Sequence, residues 1–330
     1  MAALRLLDRP MLLISLLLCF FALANLVNPC AASRGIANRR HLSALVKDPP
    51  LVLDYHNGEL LSGAGSLNVY AIWYGDFQDS HKSAIADFFA SFQDPATTVS
   101  SWWKITSGYK DASGASIFPS LRYAGHTDNA AASLGRSLKP ADLESLLSKS
   151  LESAAFPTDP KALYLVLTAA DIDVEGFCVQ SCASHRVLKA ASGKSIAYAW
   201  IGDSSSRCPG KCAWPYANPK DFGGPDTKAL VAPNGVGVDG MVINIAAMVA
   251  GATSNPFGTG YFQGPSTAPL EAVTACPGIF GQGAYSGYPG QLLSDAGTGA
   301  SYNARGSNAR HFLLPALWNP STLSCAYPPS

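Results

Sequence analysis

The sequence predicts an α/β or α+β fold: a single domain with a mixed sheet, a buried central helix and a disulfide-pinned, loop-rich C-terminal part. Three observations predict it. Strand-like and helix-like patterns interleave over the first two thirds of the chain. One stretch, Met241 to Ala250, is apolar or small at every position except Asn244. Six cysteines gather in the second half, where glycine and proline punctuate the chain.

The elements follow in order. Leu67 to Tyr74 (LNVYAIWY) is rich in β-branched and aromatic residues and reads as a buried strand. Ser80 to Phe92 carries Ala84, Ile85, Phe88, Phe89 and Phe92 at helical spacing, and Asp94-Pro95 ends it. Ser100 to Ser107, with Trp102 and Trp103, predicts a short helix, and Ile117 to Tyr123 a strand. Lys139-Pro140-Ala141-Asp142 opens a helix to about Ala155, with Leu143, Leu146, Leu147 and Leu151 on one face. Ala162 to Thr168 (ALYLVLT) is continuously apolar, as a strand covered on both faces must be. Ser195 to Ile201 is another strand.

The central helix is expected over about 239–251. Asp239 is a natural N-cap, because its short carboxylate can accept the free amides of a first turn. Gly251 serves as C-cap, and Asn255-Pro256 stops continuation. A segment apolar on all sides is enclosed by protein. At this length it is too short for a bilayer, which takes about 20 residues.

Composition bounds the function. Of 330 residues, 48% are hydrophobic and 14% charged, with a formal net charge of zero. That is a globular balance with no basic block for phosphates and no acidic tail, so nucleic acid is not an expected partner. Arg5 and Arg9 precede an apolar run from Met11 to Leu26 containing Ala22-Leu23-Ala24, a small-x-small cleavage pattern. Residues 1–24 therefore read as a secretory signal in preference to an uncleaved membrane anchor, with a second cleavage site as late as about residue 32, and 25–47 as a flexible arm. No membrane span is expected in the mature chain. Cys178, Cys182, Cys208, Cys212, Cys276 and Cys325 form an even set, which in an exported chain reads as disulfides. A four-thiolate zinc site is the competing reading of Cys178/Cys182 with Cys208/Cys212, and the oxidising compartment argues against it. The pairing stays open.

Few constellations carry chemistry. Gly235-x-Gly237-x-x-Gly240 matches a dinucleotide fingerprint, but no proper strand precedes it and no acidic residue follows at ribose distance, so tight-turn glycines are expected. Ser192-Gly193-Lys194-Ser195 lacks the first glycine of a P-loop, since Leu188 stands there. Asp171, Asp173 and Glu175 put three carboxylates on one side of an extended segment, the residue types a glycosidase or a calcium site needs. Their spacing resembles the end of the acidic strand motif of family 18 chitinases, with Glu175 as the acid. The bland reading is a solvated strand exit beside Cys178, and it is preferred. Trp102, Trp103, Trp214 and Trp318 are candidates for sugar stacking, although aromatics are more often core. No G-x-S-x-G elbow and no His-x-x-x-His pair occurs.

Longer motifs carry a family resemblance. Tyr55-His56-Asn57-Gly58, Val69 to Gly75, Trp102-Trp103, the run from Cys208 through Cys212 to Pro215, Gly237 to Met241, Thr253 to Phe257, Gly260 to Pro265 and Leu313 to Trp318 resemble the plant Exordium / phosphate-induced protein 1 family. The likeness runs from about residue 48 to the end, residues 48–330 forming the family domain. It implies an extracellular apoplast or cell-wall protein linked to cell expansion, brassinosteroid response and carbon status, with no catalytic residue to carry over. It also implies a zincin-like scaffold. Where some relatives carry a His-Glu pair on the central helix, Ala247 and Met248 stand here, with Gly251 at the position of a further acid. None of these ligates zinc. The expectation is a non-enzymatic secreted protein without cofactor, whose partner is wall polysaccharide or an extracellular receptor. The alternative is a wall carbohydrate-active enzyme or polysaccharide-binding module using Asp171, Asp173 and Glu175.

Overall fold

A computed structural model describes residues 50–218 and 229–329. The expected leader and arm, 1–47, lie outside the described residues. A five-stranded sheet is built from β1 (Ser66–Tyr74), β2 (Ser120–Asn129), β3 (Leu163–Thr168), β4 (Ala183–Lys189) and β5 (Ser195–Gly202). Its order is β2-β1-β3-β5-β4. The first four strands run parallel, and β4 pairs antiparallel with β5 at the edge. The sheet is therefore mixed.

β3 sits at the centre with all six residues buried, as its uninterrupted apolar run demands. Helices cover both faces. Register places Tyr70, Tyr164 and Tyr198 in one row across β1, β3 and β5. Tyr198 reaches Glu144 of α3 (Pro140–Glu152), its hydroxyl 3.4 Å from Oε1, so this row faces α3. The next row, Ala71, Leu165, Ala199 and His185, faces the other way. There the sheet meets the central helix, Val236–Ser254, and α1, Asp79–Ala90. Small side chains at Ala71, Ala197 and Ala199 leave the room the central helix fills.

The central helix is longer than expected. It starts at Val236 with Gly235 as N-cap and ends at Ser254 with Asn255 as C-cap. Asp239 is the fourth helical residue rather than the cap, and Gly251 lies inside rather than at the end. At 19 residues, length and composition alone would let it cross a membrane. Burial decides otherwise, because 14 of its 19 residues are buried inside the protein.

Two more differences have physical reasons. β4 (ASHRVLK) has no apolar run, because as an edge strand it exposes most of one side; only Leu188 is buried. β2 runs on to Asn129 through polar residues, with a register irregularity between Val69 and Tyr70 of its partner. The expected short helix is α2 (Thr98–Trp103), continuing as a 3-10 turn over Lys104–Gly108. Trp102, Trp103 and Trp318 are buried, and Trp214 is half-buried against Phe280, so these rings are core rather than a sugar surface.

After the central helix the chain is turn-rich, with three small antiparallel ladders of its own and a fourth that pairs Tyr261–Phe262 with Asp54–Tyr55. Three disulfides tie the loops. Cys178 bonds Cys208, Cys182 bonds Cys212, and Cys276 bonds Cys325. The four paired cysteines beside the sheet are thus consumed by two parallel bridges, which leaves no thiolate cage for zinc.

Candidate functional site

The central helix organises two polar clusters, one at each end. Its N-terminal glycines have separate tasks. Gly235 takes φ 103°, which favours glycine. A Cβ on Gly237 would stand 2.6 Å from Oδ1 of Asp203, and one on Gly240 would stand 2.6 Å from Cβ of Ala213. The buried Asp203 carboxylate thus occupies the place where a dinucleotide fingerprint would seat a pyrophosphate.

Just outside that end lies a polar network. Asn234 donates its backbone amide to Oδ2 of Asp239 at 2.7 Å and its side-chain amide to Oδ1 at 2.8 Å. Arg310 donates Nη1 to Oδ1 of Asn234 at 3.0 Å, Nε to Oδ2 of Asp87 at 2.9 Å, and Nη2 to Oγ of Ser83 at 3.3 Å. Asn308 donates to the other Asp87 oxygen at 2.6 Å. Burial pushes the Asp239 carboxyl up to about 7, opposed by the Asn234 hydrogen bonds and the Arg310 charge.

This network floors a cleft of about 560 Å³. The far wall is Asp295, which accepts from the Thr298 hydroxyl and from the amides of Gly297 and Thr298. The Thr298 hydroxyl, first among these bonds, holds its carboxyl below the usual range. His311 stacks on Tyr302 at 3.8 Å and 1°. The cleft has the volume of a small-ligand site, and its lining of carboxylates, amides, hydroxyls and one guanidinium suits a hydroxyl-rich ligand. Sequence reasoning did not reach it. Asp87, Asn234, Asp295 and Arg310 come from distant segments, and none sits in a recognisable motif.

At the other end His185 of β4 meets Glu271, with Nε2 and Oε2 2.7 Å apart. Asn255 donates to Oε1 of Glu271 at 2.7 Å and accepts from the Gly260 amide at 2.8 Å. A Cβ on Gly251 would stand 2.9 Å from Oε2 of Glu271 and 3.3 Å from the His185 ring. Gly251 is therefore the gap that admits this pair against the helix. Ala247 and Met248 lie on a half-buried stripe with Ile243 and Asn244. They supply no hard ligand, and among the described residues no three His, Cys, Asp or Glu side chains group as a metal site. The residues present do not fit a zinc ion, so no chemistry is routed through one.

Asp171, Asp173 and Glu175 keep their alternation but diverge in role. Asp171 pairs with Arg136, and Asp173 pairs with Arg207 at 2.6 Å. Glu175 is exposed, and its backbone amide donates to the carbonyl of Leu138 at 2.9 Å. The three are spread along a surface strand exit at Asp173–Val174 that pairs with Ser137–Leu138, and they do not line the cleft described above. Among the described residues no hydroxyl hydrogen-bonds to an imidazole, the contact that activates an oxygen nucleophile.

Fold and site together define a disulfide-tied α/β protein with a buried central helix and a polar cleft. The chain belongs to the phosphate-induced protein 1 family, whose conserved region matches residues 53–328. It is similar to Protein PHOSPHATE-INDUCED 1 of Nicotiana tabacum, 44% identical over 317 residues that cover 93% of this chain and 96% of the relative. It is 45% identical to Protein EXORDIUM-like 2 of Arabidopsis thaliana, covering 86% of this chain and 92% of the relative. It is 43% identical to Protein EXORDIUM of the same plant, covering 87% and 92%. No solved structure matches the chain. Family membership fits a plant growth-related protein.

Proposed function

We propose that this chain is a secreted protein of the apoplast and cell wall that promotes cell expansion, in step with brassinosteroid and carbon status, by binding rather than by catalysis. The observation that carries the reading is the set of three disulfides across otherwise loop-rich segments, a device of oxidising compartments. The leader pattern and the family support it. Binding is favoured over catalysis because the buried acids are committed to structural partners: Asp239 to Asn234, Glu271 to His185 and Asn255, and Asp203 to the Ser205 amide.

The test is expression of the tagged full chain in leaf cells. Tag in the apoplastic wash or wall fraction, with faster cell expansion that Glu175→Gln leaves unchanged, is the expected outcome. Retention inside the cell, or growth activity lost in Glu175→Gln, would overturn it.

A further inference from the structure

Most aromatic rings of this protein are packed inside, but Tyr285 and Tyr288 stand exposed side by side. Tyr285 is 70% exposed and Tyr288 36%. They face each other across a two-residue turn, Ser286-Gly287, and exchange both main-chain hydrogen bonds: Tyr285 N–H to Tyr288 O at 3.0 Å and Tyr288 N–H to Tyr285 O at 2.8 Å. Residues directly opposed on an antiparallel pair point to the same side, so both rings project together. Their centroids are 5.1 Å apart with planes tilted by 37°. Neither phenol has a hydrogen-bond partner among the described residues.

The backbone beneath them is fixed. Gly287 takes φ 88°, the positive value a type II turn needs at its second central position. Behind the turn, Phe280 and Gly281 both donate to the Pro289 carbonyl, at 2.9 and 3.0 Å. Gly281 and Gly290 approach so closely that a side chain on either would strike main chain of the opposite arm. Phe280 and Leu292 anchor the two arms in the small core with Tyr216 and Leu313. An exposed hydrophobic pair thus stands on a preorganised hairpin, which lowers the ordering cost of a contact.

The chain on either side of the pair is polar but uncharged, and this selects the occupant. No charged residue stands between Glu271 and Asp295, whereas Gln282, Ser286 and Gln291 offer amides and a hydroxyl. A nucleic acid or an anionic membrane would call for lysine and arginine here. A pyranose instead presents a face of C–H groups to the negative face of an aromatic ring, and hydroxyls to amides and phenols at its edge. The geometry points to the Tyr285–Tyr288 hairpin as a stacking platform for neutral polysaccharide. It names the binding partner of the wall-directed reading above, but its test in solution is independent of secretion.

The test is affinity electrophoresis of the purified full chain, disulfides intact, in gels containing xyloglucan, mixed-linkage glucan or glucomannan, with polygalacturonate gels and phosphatidylserine vesicles as charged comparators. Retardation by at least one neutral glycan is expected. Tyr285→Ala with Tyr288→Ala should weaken it about tenfold or more, and the paired Phe substitutions should keep it within about threefold. Tyr285→Ala alone serves if the double variant does not fold. No retardation by any neutral glycan, binding confined to the charged comparators, or equal binding by wild type and the alanine variants would each overturn the proposal. Failure here with secretion intact counts against the platform alone, and retention in the cell counts against the secreted reading alone.

Discussion

The two ends of the central helix solve the same problem in opposite ways. Each places a carboxylate against an apolar helix. At the C-terminal end Glu271 is sealed between His185 and Asn255, and Gly251 makes the space. At the N-terminal end Asp239 is also buried, but its partner Asn234, and the Arg310 that donates to Asn234, line an open cleft. The closed end is a joint between β4, the helix and the loop that follows. The open end leaves polar groups available to a ligand. A buried polar cluster is therefore not by itself a site, and solvent access separates the two.

Breaking the closed end should have the largest effect. Glu271→Ala strands His185 and the Asn255 amide without an acceptor, and a loss of about 3 kcal/mol or more is expected, read as a lower thermal midpoint. The open end should show itself in pH. The Asp239 carboxyl is raised to about 7 in the folded protein, from 3.8 in the unfolded chain. Between these values the folded state holds the extra proton, so this carboxyl's contribution to stability is full below about pH 4 and is lost as pH rises through about 7. Over the whole window the change is on the order of 4 kcal/mol, of which about 3 falls between pH 5 and pH 8, and denaturant titrations at those two pH values should find the protein more stable at pH 5. Asp239→Asn should flatten that difference. A smaller effect is expected of Gly251→Ala. Alanine gains about 1 kcal/mol of helix propensity, but the added methyl meets the Glu271 carboxylate, and a net loss of about 1–2 kcal/mol should result. Least of all, Asn308→Ala removes one exposed donor to Asp87 and puts alanine where the backbone takes φ 55°, and should cost about 1 kcal/mol or less. If Asn308→Ala cost as much as Glu271→Ala, the contrast between the ends would be lost.

Local patterns made much of the frame legible. The apolar runs at Leu67 to Tyr74, Ala162 to Thr168 and Ser195 to Ile201 became β1, β3 and β5, because buried strands must be apolar along their length. The even cysteine set became three bridges, but which cysteine meets which depends on how the sheet aligns 178–182 beside 208–212. β4 escaped notice because edge strands are polar. The helix start was misplaced because Asp239 turns back to Asn234 from the fourth helical position, which a carboxylate's capping preference cannot foretell. The cleft and the His185–Glu271 pair join segments tens to hundreds of residues apart, and spacing within a single stretch carries no trace of them.

The central claim is binding without catalysis. The most direct measurement incubates the disulfide-bonded protein with a panel of wall polysaccharides and assays released reducing ends together with retained protein. Protein held on a glycan with no sugar released is the predicted result. Sugar released by the wild type and absent with Glu175→Gln would contradict it.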